Sequence, residues 1–377
     1  MRIDIGALEN IYLLNLGITP RERVLVFTDK VSKKEGKLPR EELERRAGLR
    51  RIGRAAARAG LGLAKEVIYR EYAATGTHAV EPPKAVWEAA FGAECIAGLS
   101  ARGLLREIIK KRVSEEGQGL AGRIIRKYSG DAVDAVIALS NYSTTHTIFR
   151  KLLTMLGARY ASMPLFDYSM LSGPMSVDYR ELKRLTAAVA RAIRGAGWLE
   201  IASGNGTRLL FRTGGRRAWQ DNGDYRKPGA AGNLPAGEVY LAPLEGTASG
   251  RLVLEWAPTR KLESPVTLVV RRGLVTEVLG TEPFADGLRR RIASCPECAN
   301  IAELGIGTNS LAKRPDNILE SEKILGTVHV ALGDNHTFGG RVRAPFHQDF
   351  VFFSPTLKAL DGGKKVKSVI MRKGKLV

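Results

Sequence analysis

Arg23-Val24-Leu25-Val26-Phe27, closed by Thr28-Asp29, is an apolar run of strand length and reads as a buried strand. Residues 41–59 follow with Leu43, Leu49, Ile52 and Ala56 at helical spacing, and Glu66-Val67-Ile68-Tyr69 then reads as a second strand. Working outward, 83–91 and 103–113 read as helices, 132–140 as a strand rich in Val and Ile, 144–156 as a helix and 161–165 as a strand. Strands alternating with helices predict a mostly parallel sheet covered by helices. No G-x-G-x-x-G follows the first strand, and no G-x-x-x-x-G-K-[ST] occurs, so the two common phosphate-cradling loops are absent. Ser143-Thr144-Thr145-His146, opening the helix of 144–156, reads as N-cap chemistry first and as an anion-binding terminus second.

After a helix over 179–195 the texture changes to glycine-rich chain with short alternating strands. These fall at 199–203, 208–212, 238–242, 251–256, 266–271 and 274–278. The expected fold class is therefore α/β. Residues 1–175 form an amino-terminal α/β domain with a mostly parallel sheet. Residues 176–377 form a β-rich α+β carboxy-terminal domain, and the boundary lies close to Gly173-Pro174.

Charge is the first clue to function, and it proves to be a weak one. The chain has 377 residues and a net charge of +20, but residues 1–170 hold 28 basic and 19 acidic side chains, and 171–377 hold 31 and 20. The excess is an even coat, with no long basic arm and no interleaved aromatics, so nucleic acid is not an expected partner. No stretch approaches 18 uncharged apolar residues, and Asp4 and Glu9 interrupt the apolar pattern of the amino terminus. The expectation is a protein without membrane span or signal peptide, located in the cytoplasm. Three cysteines are too few for a disulfide framework. The lone Cys295-Pro-Glu-Cys298 reads as a reduced pair or local disulfide before it reads as a zinc site.

The informative clustering is in histidine. Of five in the chain, three (His329, His336 and His347) fall within 19 residues, and Glu303, Glu320, Glu322, Asp334 and Asp349 lie in the same region. Gly326-Thr327-Val328-His329-Val330-Ala331-Leu332-Gly333 reads as a strand with His329 opposite Val328 and Val330. In Phe346-His347-Gln348-Asp349-Phe350-Val351-Phe352, alternation projects His347 and Asp349 together and the phenylalanines to the other side. Glu238 opens a strand after Asn233-Leu-Pro-Ala-Gly, and Glu303 sits among Ile301, Leu304 and Ile306, where an unpaired carboxylate should not be buried. An arginine partner for each glutamate is the alternative to a ligand role. Glu320 and Glu322 are expected on a solvated helix face, or else beside the site as partner or base.

Glu238, Glu303, His329, His347 and Asp349 together offer three carboxylates and two imidazoles, a set suited to zinc, cobalt or manganese. Two divalent metal ions against three carboxylates leave +1, enough to hold a hydroxide, whereas one ion with all five ligands is crowded and net negative.

Four segments, Asn233-Leu-Pro-Ala-Gly-Glu-Val-Tyr240, Glu303-Leu-Gly-Ile-Gly-Thr-Asn309, Gly326-Thr-Val-His-Val-Ala-Leu-Gly333 and His347-Gln-Asp349, resemble the aminopeptidase T and S family of thermophilic metallo-aminopeptidases. Ser143-Thr-Thr-His-Thr147 and Gly157-Ala-Arg-Tyr-Ala-Ser-Met-Pro164 extend the likeness weakly into the first half. The resemblance implies a homodimeric aminopeptidase that takes peptide substrates, with those five residues binding a co-catalytic metal pair. Where that family has its catalytic tyrosine, seven residues after the first metal histidine, this chain has His336. His336 is therefore the candidate catalytic residue, as oxyanion donor or proton shuttle, with a surface histidine as the alternative. The other functional expectations are a drifted family member hydrolysing another amide or ester, and a basic nucleic-acid-binding protein.

Overall fold

The computed structural model describes residues 3–377, and the chain divides into two compact units. One comprises Met1–Ser176 with Gly223–Pro235; the other comprises Val177–Asn222 with Ala236–Val377.

The first unit contains β1 (Arg23–Lys30), β2 (Glu66–Ala73), β3 (Ala135–Leu139) and β4 (Arg159–Ser162). The second begins with β5 (Trp198–Ala202), β6 (Arg208–Arg212) and β7 (Trp219–Asp221). The chain then returns to the first for β8 (Ala231–Asn233). The order β2-β1-β3-β4-β8 is parallel at every pairing, as the strand–helix alternation predicts. All five residues of β3 and six of the eight in β1 are buried, the signature of strands covered on both faces. Sequence reading left β8 in the carboxy-terminal half. Three residues, Ala-Gly-Asn, carry no apolar run, and only pairing with β4 makes them a strand.

Two local expectations change. Of the residues given helical spacing in 41–59, Leu49, Ile52 and Ala56 are buried in the helix Arg40–Ala59, but Leu43 is exposed. The N-cap lies later than Ser143-Thr144-Thr145. Thr147 caps the helix Ile148–Met155 by accepting from the Arg150 amide, and the Glu81 carboxylate accepts from Ile148 N at 2.6 Å and Phe149 N at 3.0 Å. That helix terminus is thus satisfied from within the unit.

The second unit continues with β9 (Glu238–Leu241), β10 (Ser249–Ala257), β11 (Arg260–Arg271), β12 (Leu274–Leu279) and β13 (Ile301–Gly307). It ends with β14 (Val328–Gly333), β15 (His347–Phe352), β16 (Thr356–Leu360), β17 (Val366–Arg372) and β18 (Lys375–Leu376). An eight-stranded sheet runs β12-β11-β10-β6-β5-β16-β17-β18 and a five-stranded sheet runs β15-β14-β13-β9-β7, antiparallel throughout. The two share one core. Leu199, Ile201, Leu209, Phe211, Leu252 and Leu268 come from the large sheet; Val239, Leu304, Ile306, Val330, Leu332, Phe350 and Phe352 come from the small one. Each such side chain contributes roughly 1.5–3 kcal/mol by leaving water, so the register of the small sheet is fixed by its apolar face. Its alternate positions are then free to carry polar groups.

Cys295 and Cys298 form a disulfide, one of the two outcomes expected for that pair, and Cys95 is buried and unbonded. Among the described residues, no helix is long and apolar enough to cross a membrane.

Candidate metal centre

The small sheet delivers at least one acidic or imidazole side chain from each of its five strands to a single face. Asp221 on β7 is opposite Glu238 on β9, and Glu238 is opposite Gly307 on β13. On the next strand Gly305 is opposite His329, Ala331 is opposite Asp349, and Gly333 is opposite His347. Strict alternation fails at one place. Ile301 and Leu304 both enter the core although they are three residues apart, because the pairing of β13 with β14 shifts between Ile301 and Glu303. This bulge turns Glu303 onto the polar face, a re-aiming that bulges commonly perform.

The five predicted ligand residues converge. His329 Nε2 lies 3.2 Å from Glu238 Oε2 and 3.5 Å from Glu303 Oε1. His347 Nε2 lies 3.4 Å from Glu303 Oε2 and 3.8 Å from Asp349 Oδ1. Glu303 therefore stands between the two imidazoles with one oxygen facing each. The neighbouring backbone makes room. A Cβ on Gly305 would lie 1.8 Å from His329 Nε2, so the ring occupies the volume that any side chain there would fill. The Asp334 carbonyl oxygen, 2.8 Å from His347 Nδ1, accepts from that nitrogen and so leaves Nε2 as the atom that faces the carboxylates, the one whose lone pair an ion would take in place of a proton.

The donor set fits a cation. Glu238 Oε2, His329 Nε2 and Asp349 Oδ1 are buried with no hydrogen-bond partner, a costly state for ligand-type atoms that converge on one another. Two groups, Glu303–His329–Asp349 and Glu238–Glu322–His329, have ligand atoms lying within 4.8 Å of one another. Both use His329.

Lys323 was not singled out in the sequence, yet its side chain is wholly buried here. Its Nζ donates to Glu238 Oε1 at 2.6 Å and Glu322 Oε1 at 2.7 Å, and lies 3.9 Å from Asp221 Oδ2. Glu320 and Glu322 are buried as well, so the solvated helix face expected for them does not exist. Glu320 accepts from the amides of Lys313 and Arg314. Their short helix, Ile318–Ser321, is a single turn pressed into the unit, and four residues are too few to show an amphipathic period.

Electrostatics on this face balance burial against neighbours. Burial pushes the Glu303 carboxyl up, but the His329 and His347 imidazoles facing its two oxygens outweigh it and hold the group down at about 2. Burial opposes charge on His347, yet Asp349 and Glu303 raise it to about 10. Lys323 is likewise raised well above its ordinary value, because Glu238, Glu322 and Asp221 outweigh its desolvation. Glu322 goes the other way. Burial dominates and pushes it up to about 8 despite Lys323. Buried carboxylates thus collect protons on the imidazoles, the charge that a divalent ion would otherwise supply.

His336 sits apart from this set, in the turn His336–Phe338. Its side chain is 39% exposed and its Nδ1 is 2.7 Å from Asp334 Oδ1. Its partner is Asp334, not one of the five, although the same Asp334 braces His347 through its carbonyl. Phe338 meets His347 edge-on at 5.9 Å and Tyr240 at 5.6 Å between ring centroids, so aromatic surface adjoins the imidazole. Burial raises the Tyr240 hydroxyl, and Glu303 adds to the effect, so that phenol stays protonated.

The family model for 2,5-dihydroxypyridine 5,6-dioxygenase (NicX) matches residues 174–377, more than half of the chain and the whole of the small sheet. The chain belongs to that family. A solved structure of 2,5-dihydroxypyridine dioxygenase from Pseudomonas putida KT2440 is similar, with TM-score 0.68 and 19% identity over 99% of this chain and 96% of that one. AmpT from Thermus thermophilus is similar with TM-score 0.52 and 15% identity, covering 99% and 98%. No curated protein matches the sequence. At these identities the two structures show the shared fold alone.

Family membership overturns the aminopeptidase expectation, and with it the hydrolase and peptidase class and the peptide substrates that the resemblance implied. The likeness to aminopeptidase T survives as a likeness of fold. The physical reason is that the quoted motifs encode a sheet, its glycines and the donor atoms it presents. Carboxylate and imidazole donors serve several metal chemistries, and fold does not fix which.

Of the residues that matter to the geometry, sequence reasoning missed Lys323, Asp221, Gly305 and Tyr240. Gly305 and Tyr240 were detectable in principle. Each lies two residues from a predicted ligand, Glu303 and Glu238 respectively, and so on the same strand face.

Proposed function

We propose that the carboxy-terminal unit is a metal-dependent oxygenase of small hydroxylated aromatic or N-heteroaromatic rings. In this reading Glu303, His329, His347 and Asp349 hold iron(II). The observation that carries it is the convergence of Glu303, His329 and Asp349, with His347 Nε2 within 4 Å of both carboxylates and with His329 Nε2 and Asp349 Oδ1 orphaned, in a chain of a dioxygenase family. Two histidines and a carboxylate on one side of an open site are the usual donors of non-haem iron(II) oxygenases. Such an ion, when bound, supplies the redox chemistry by which dioxygen can react with a closed-shell ring.

The chain's own groups have separate tasks. Glu303 and Asp349 carry two negative charges, which neutralise one divalent ion. The Asp334 carbonyl holds the His347 ring in the tautomer that presents Nε2. Phe338 and Tyr240 offer ring edges against which a flat substrate can stack. His336, oriented through Nδ1 by the Asp334 carboxylate, is the group that would take or return a substrate hydroxyl proton.

The test is oxygen uptake by protein loaded anaerobically with iron(II), using 2,5-dihydroxypyridine and a panel of dihydroxybenzenes. We expect one dioxygen consumed per ring lost, abolished by chelation and restored by iron(II). Fully loaded protein that consumes no oxygen with any ring in the panel would overturn the proposal.

A further inference from the structure

We propose that Lys323 occupies the place of a second cation, so that its ammonium limits the centre to one metal ion. The inference rests on the ion-binding reading of Glu303, His329, His347 and Asp349 given above.

Next to that group lies a second one built to the same pattern. Glu238 and Glu322 present carboxylates to His329, with ligand atoms within 4.8 Å, and Asp221 stands beside Glu238 in register on β7. Three acidic side chains from three separate elements surround one buried position. The Lys323 ammonium fills it, at 2.6, 2.7 and 3.9 Å from Glu238, Glu322 and Asp221. Lys323 is 0% exposed, so bulk solvent and salt screen it from its partners much less than they would a surface pair.

Glu238 divides its two oxygens between the subsites. Oε1 accepts from Lys323, whereas Oε2, buried and without a hydrogen-bond partner, faces His329 Nε2 at 3.2 Å. His329 has one nitrogen directed at both groups, and one lone pair serves one ion. An ion held with Glu303 and Asp349 therefore takes His329 and leaves the other group without its only imidazole. A second divalent ion would have to displace a fixed positive charge and do without that nitrogen.

The consequence reaches the chemistry. Two adjacent ions can clamp the attacking and leaving oxygens of a hydrolytic displacement; one ion with open positions cannot. Lys323 is thus the residue on which the number of ions, and with it the availability of a two-ion clamp, would turn.

The test counts ions without reference to activity. Full-length protein is stripped, reloaded anaerobically with excess iron(II) or manganese(II), desalted and analysed by native mass spectrometry with elemental analysis. We expect one ion per chain in the wild type, two in Lys323→Ala, and one in Lys323→Arg, which keeps the charge. Two ions in the wild type, or one in folded Lys323→Ala, would overturn the proposal. If Lys323→Ala is unfolded without metal, added divalent ion should restore its fold at two ions per chain, and no restoration would count against it. A wild-type count of zero would instead sink the ion-binding reading itself.

Discussion

Gly305→Ala is expected to abolish stable metal loading and to lower the melting temperature, although the substitution adds one methyl group. The new Cβ would lie 1.8 Å from His329 Nε2, 2.0 Å from Cε1 and 2.6 Å from Cδ2, distances at which something must move. Neither side can yield cheaply. The His329 ring is 1% exposed, and β13 is held between β14 and β9 by two ladders of hydrogen bonds. Overpacking a core typically costs about 1–3 kcal/mol, and a site without slack belongs at the upper end. For a unit of this size that is a fall of roughly 5–10 °C. Gly204→Ala is the control, since a Cβ there meets nothing within 4 Å. Differential scanning calorimetry and metal analysis of both variants check the prediction. Unchanged loading in Gly305→Ala would contradict it.

The second large effect is expected from Glu303→Gln, which keeps shape and removes charge. Each Glu303 oxygen faces a different imidazole, at 3.5 and 3.4 Å, so an amide must turn an N–H toward one of them. The variant loses a negative donor where the ion is proposed to bind and half of the charge that neutralises it. Losing a partner outside the ligand shell costs metal affinity roughly 10–100-fold, and a ligand should exceed this. We therefore expect iron(II) affinity, measured by competition with a chelator, to fall by more than about 100-fold with secondary structure retained. A change of threefold or less would remove Glu303 from the set.

Much of this architecture is legible in sequence because the signals are local. The run Arg23–Phe27 and the Val- and Ile-rich stretch ending at Leu139 are buried parallel strands with the expected continuous apolar reading. His347-x-Asp349 shares a face because strand side chains alternate, and His329 opposes Val328 and Val330 for the same reason. What could not be read is non-local. Alternation alone would put Ile301 and Glu303 on one face, and only the bulge separates them. Lys323 follows Glu322 in a stretch without periodicity, and its partners Asp221 and Glu238 lie about a hundred residues upstream. Function failed for a different reason. The motifs that pointed to an aminopeptidase describe which donors meet, whereas the reaction depends on the ion and the substrate that join them.

The most direct measurement is an anomalous difference map at the iron edge from crystals of iron(II)-loaded protein. One strong peak per chain is expected, within bonding distance of Glu303, His329, His347 and Asp349. Lys323 Nζ should remain between Glu238 and Glu322. A peak away from those four side chains, or no peak in protein that carries iron in solution, would contradict it.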